Sequence, residues 1–176
     1  MRWAGDGPAR PARMGLLIAL ASAVQVTEGL VPLPVPWFRL GLGNAVILAA
    51  LDRGGWREGA WVAAGKVLVG GLLGGKLFSP GFWLALAGTL AATGTMGVAL
   101  SAGPRLGFVG ASVLGAQAHV AAQLVVAAFL LRTGAVWSLA PLLGTMGVVS
   151  GVLTGWAAHG LAGALGPGER EPEGAR

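Results

Sequence analysis

Apolar runs dominate the chain, and short polar or proline-containing breaks divide them. The first run is read from Met14 to Val31 and is ended by Pro32, Pro34 and Pro36, because proline cannot continue a helical hydrogen-bond ladder and restrains the residue before it. A shorter helix is predicted over 37–51, followed by a turn at Asp52 to Gly55. Trp56 to Phe78 forms a third helix that carries Lys66 inside it. Pro80 marks the next turn, and Phe82 to Leu100 forms a fourth helix. Gly103, Pro104 and Arg105 break the chain before a fifth, Leu106 to Leu131. A loop at 132–138 leads to a sixth from about Leu139 to Leu165, with Pro141 tolerable in its first turn. Residues 1–13 and 166–176 are polar and rich in Arg, Glu, Gly and Pro, and are expected to be disordered cytoplasmic tails. A basic start before an apolar run also suits a signal peptide with a cleavage-like Ala21-Ser22-Ala23. The run continues to Glu28 without a polar break, which favours a retained helix.

Spanning a bilayer takes roughly 20 apolar residues per helix. Five of the runs reach that length and the second is short. The expected fold is therefore all-α: a polytopic membrane protein with about six transmembrane helices in a compact bundle over residues 14–165. Composition agrees, with 55% hydrophobic and only 11% charged residues and a mean hydropathy of +0.73. A soluble domain would carry about a quarter charged residues. The 32 glycines suit helices that approach closely in lipid.

Charge adds an orientation. With six spans and both termini inside, Arg2, Arg10, Arg13, Arg53, Arg57, Arg105, Arg170 and Arg176 are cytoplasmic, while Arg39, Lys76 and Arg132 are outside. Basic residues concentrate in cytoplasmic loops, so both termini are expected inside a plasma membrane. Trp37, Trp56, Trp61, Trp83 and Trp137 fall near helix ends, as an interfacial belt requires. The net charge of +5 is spread singly through loops, which gives no nucleic-acid footprint.

The orientation assigns depths to the polar residues. Glu28 falls in the outer half, with Gln25 one turn below, and Arg39 and Asn44 open the second helix at the outer surface. Lys66 and His119 lie near mid-membrane, with Gln123 one turn further out. Ser112, Ala116, His119 and Gln123 follow helical spacing and share a face, whereas Gln117 points nearly opposite and is assigned to a helix contact. Polar side chains at such depth are costly and mark candidate sites, although they also hold helices together, and Glu28 and Lys66 could simply pair. The inner half offers nothing comparable. Glu28, Arg39, Asn44, Lys66, His119 and Gln123 are therefore the candidate ligand residues, and their surplus of positive charge favours an anionic or zwitterionic small ligand. On the first helix, Gly15, Ala19 and Ala23 form a small-residue stripe, with Ala19 half a turn from Glu28.

The chemistry for an enzyme acting alone is missing. There is no phosphate-binding glycine loop, cysteine is absent, and Asp6 and Asp52 are the only aspartates. No cofactor or metal is expected; His119 and His159 lie on different helices without ligand company.

Glu28 before a proline-rich turn, RLGLGN from Arg39 to Asn44, a basic residue in the third helix, and SVLGAQAH from Ser112 to His119 followed by Gln123 together carry a resemblance. The chain resembles the Gx transporter family, whose members are often labelled heptaprenyl diphosphate synthase component I. That family usually has Lys-Leu-Gly-Leu-Ala-Asn, an arginine in the third helix, and Asn after the His; Arg39, Gly43, Lys66 and Val120 depart from it here. The resemblance implies a protein similar to the substrate-binding components of energy-coupling-factor transporters, which capture a small ligand outside and rely on a membrane coupling subunit and two ATPases. It also implies that Ala19 and Ala23 contact that coupling subunit. The synthase label implies instead a membrane accessory to a soluble catalytic subunit, since the aspartate-rich motifs of prenyl diphosphate synthases are lacking.

Overall fold

The computed structural model describes residues 9–30, 41–103 and 106–165. Every element among them is helical: α1 (Ala9–Leu30), α2 (Gly43–Leu73), α3 (Pro80–Ser101), α4 (Gly107–Leu131), a 3-10 turn (Gly134–Leu139) and α5 (Ala140–Ala164). Four segments are long and apolar enough to cross a membrane: Pro11–Leu30, Pro80–Ser101, Gly107–Leu131 and Gly134–Ala164. The all-α, membrane-like character follows from these lengths and compositions.

Four of the expected six helices stand as separate apolar spans, and the other two meet in α2. The second and third predicted helices follow each other without a loop and are joined at a kink at Gly55, whose φ of 72° and ψ of −169° are not helical. A straight helix would set Asn44 and Lys66 about 33 Å apart, yet the Lys66 ammonium donates to the Asn44 side-chain oxygen. The arms 43–54 and 56–73 therefore fold back on each other at a single-residue elbow. Leu51 lies over Gly59, four residues to either side of Gly55. With Asp52, Arg53, Arg57, Glu58 and Lys66, α2 is too charged to count among the apolar spans.

Helix ends also differ from expectation for local reasons. The first helix begins at Ala9 rather than Met14. The third predicted helix stops at Leu73, because Gly75 takes a φ of 62°. Its closure is a Schellman turn: the Lys76 N–H donates to Gly71 (2.8 Å) and the Gly75 N–H to Leu72 (3.1 Å). Ser79 caps α3 by accepting from the Phe82 N–H at 3.3 Å, with Pro80 at the first position.

The element α2 is the centre of the bundle. Its first arm is buried from Ala45 through Leu51, and Ile47, Leu48, Ala49 and Ala50 are sealed from solvent. Around it, α1 lies parallel to the second arm, with Ile18 against Gly65 and Gln25 against Gly70. The second arm runs antiparallel to α3, with Trp56 on Gly97 and Phe82 on Gly71. On the far side α4 and α5 pack antiparallel through Gly147, Gly151 and Gly155, which face Gln117, Val113 and Val109 respectively.

Candidate functional site

The segment Gly41-Leu42-Gly43-Asn44, which opens α2, is the point where the polar groups meet. Gly41 has a φ of 70°, a left-handed conformation that glycine adopts without a Cβ clash. A Cβ there would lie 3.4 Å from Ser150 Oγ and 3.9 Å from Thr154 Oγ1, so this turn sits against two buried hydroxyls of α5. The Leu42 N–H donates to Glu28 Oε1 of α1 at 2.7 Å. Gly43 presses on the Ala21 carbonyl and on the Lys66 side chain, at 3.1 and 3.3 Å from its would-be Cβ. Asn44 accepts from Lys66, which is only 5% exposed.

His119 joins this group from α4. Its ring is seated on Gly88 of α3, where any side chain would collide with it, and the Gly88 backbone is its hydrogen-bonding neighbour. The register of α3 against the second arm of α2 brings Gly88 level with Lys66, and His119 lies in the electrostatic field of that ammonium. The His119 Nδ1 atom is buried and has no hydrogen-bond partner. Leaving such an atom unpaired costs about 1–3 kcal/mol.

Of the residues singled out from sequence, Glu28, Asn44, Lys66 and His119 are thus gathered from α1, α2 and α4. Gln123 is half-buried one turn beyond His119 and is not part of this hydrogen-bonded group. Arg39 lies outside the described residues. Gln117 is a helix contact, as its face predicted: its amide donates to the Gly144 carbonyl at 2.9 Å. Ala19 and Ala23 are exposed on α1, and the Gly15 position opens onto free space.

Sequence reasoning missed two sets of residues. Ser150 and Thr154 are buried at the Gly41 turn; their only signal was a pair of hydroxyls one turn apart in an apolar helix. The other set lies at the elbow end of the bundle, where the sequence is read as offering nothing comparable to the hub. At the elbow, Arg13 pairs with Glu58 at 3.2 Å and Arg53 with Asp52 at 3.3 Å. Both carboxylates are buried, Glu58 at 5% and Asp52 at 7% exposure. Among the described residues no group of three or more His, Cys, Asp or Glu could hold a metal ion.

An all-α bundle with four apolar spans and a charged, buried hub on its central hairpin defines the class: a helical protein of membrane-like character. The chain matches the family described as heptaprenyl diphosphate synthase component I over residues 17–161, and it belongs to that family. Comparisons with curated proteins and with solved structures found no match.

Proposed function

We propose that the protein is a multi-pass plasma-membrane subunit, both termini cytoplasmic, that binds a small anionic or zwitterionic ligand for an energy-coupling-factor-type uptake transporter. The observation that carries this reading is the buried, unpartnered Nδ1 of His119 within the electrostatic field of Lys66, which itself donates to Asn44. A buried polar atom without a partner calls for an explanation, and a ligand group donating to it would supply one. Lys66 adds a fixed cation in a low-dielectric setting, where a prepositioned charge acts strongly on an incoming anion. The positive-inside count supports the orientation. Energising would fall to a coupling subunit and ATPases, with Ala19 and Ala23 exposed for the contact.

The test is mass spectrometry of small molecules retained by protein purified in native lipid discs. Wild type should carry a stoichiometric ligand that both His119→Ala and Lys66→Ala lose. Equal retention in both variants would remove these residues from the site.

The family description favours a second reading, a membrane accessory to a soluble prenyl diphosphate synthase. That role predicts copurification with an aspartate-rich soluble partner and a changed product length when the chain is deleted. Absence of both effects excludes it.

A further inference from the structure

Among the described residues, α1 packs against α2 and no other element. Its inner side is narrow: Leu17, Ala21 and Ser22 are buried, while Leu16, Ala19, Leu20 and Ala23 are exposed. Apolar contact along such an interface is a weak fastening in lipid, because lipid tails are as apolar as the helix they would replace. The polar contacts stand at the two ends. Arg13 pairs with Glu58 at the elbow, and Glu28 accepts from the Leu42 N–H at the hub. These residues are separated by about 22 Å of helix.

The second contact is a helix cap supplied from another element. Leu42 is the N-cap residue of α2 and has no capping side chain of its own. A carboxylate at a helix N-terminus satisfies an orphan N–H and complements the positive end of the dipole. Leu42 directly precedes Gly43 and Asn44, the residues that touch Lys66. The Glu28–Leu42 hydrogen bond therefore links the position of α1 to the geometry of the hub.

We propose that α1 is a strap clasped at both ends, and that Glu28 is a positioning residue whose carboxylate oxygen holds the 41–44 segment against Lys66. Releasing the Glu28 clasp frees the outer end of α1 while the rest of the bundle stays assembled. The proposal deepens the reading of the hub as a ligand site and rests on that reading only for its purpose. Its test requires no ligand, so each can fail without the other.

The chain has no cysteine, which makes spin labelling clean. In full-length protein in phosphatidylcholine–phosphatidylglycerol discs, Ala23→Cys on α1 and Leu90→Cys on α3 give one interhelix distance by pulsed electron resonance. Both sites are exposed. Wild type should give a single narrow distribution. Glu28→Ala should shift the equilibrium toward a longer distance by about tenfold, the worth of one charge-assisted hydrogen bond. Glu28→Gln keeps an acceptor oxygen and should stay narrow, and adding Glu58→Ala to Glu28→Ala should move the longer population further. A second pair, Leu90→Cys with Val125→Cys, reports α3 against α4 and should not change. A narrow distribution in Glu28→Ala overturns the strap. So does equal broadening in Glu28→Gln, which would make charge rather than the acceptor the cause. Broadening of the second pair also overturns it, because α1 would then not be separable from the bundle.

Discussion

Gly55→Ala should lower the stability of the protein by about 1–3 kcal/mol, the cost of forcing a side chain into a glycine-only region of backbone space. The elbow has φ 72° and ψ −169°, and nothing within 4 Å of the would-be Cβ crowds it. The penalty is therefore conformational and not steric against neighbours. An alanine there favours continuing or re-routing the helix, and either change separates Asn44 from Lys66. Thermal unfolding in detergent measures the loss. The control is Gly94→Ala, on the helical backbone of α3 with open space around it. That change should be neutral or stabilising by about 0.5–1 kcal/mol, since alanine is the better helix former. Equal melting temperatures for the two variants would show that the elbow is not held by glycine.

The second large effect is expected at the α4–α5 seam. A Cβ on Gly151 would lie 2.6 Å from the Val113 Cα, and one on Gly155 would lie 2.6 Å from the Val109 Cα. Both obstacles are backbone atoms, so no rotamer change relieves them. The helices must move apart, and overpacking of this kind costs about 1–3 kcal/mol per site. The double variant Gly151→Ala/Gly155→Ala should melt well below wild type in detergent. Gly160→Ala on the same helix faces open space and should not. A double variant as stable as wild type would mean that α4 and α5 are not in close backbone contact. The same seam places Gln117, Ser150 and Thr154, so its loosening should also disturb the Gly41 turn.

Much of this arrangement was legible in the chain because lipid-facing helices are written as runs of apolar residues. The breaks at Asp52 to Gly55, at Pro80 and at Gly103 were read at the places where the helices do bend or stop. Relative height along the helices was also readable: it brings Lys66 and His119 to one level, and they are electrostatic neighbours. Rotation about each axis was harder to read. A helix that is apolar on all sides shows no inward stripe, so the buried faces of α3, α4 and α5 are marked mainly by small residues and hydroxyls. Ser150 and Thr154 escaped notice for that reason. Arg13 and Glu58 escaped for the opposite one, since charges near a helix end read as wetted by solvent. Gly43 and Lys66 lie 23 positions apart in the chain, yet in space they touch. Only folding shows that the two residues share one contact.

The single-residue elbow bears on which parts of the chain can be buried separately. The leading arm, 43–54, is 12 residues long and covers about 18 Å, well short of the roughly 30 Å of hydrocarbon. The trailing arm brings Arg57, Glu58 and Lys66 with it. Burying the Lys66 ammonium away from water requires the Asn44 acceptor on the other arm, so the two arms leave water as one unit rather than one after the other.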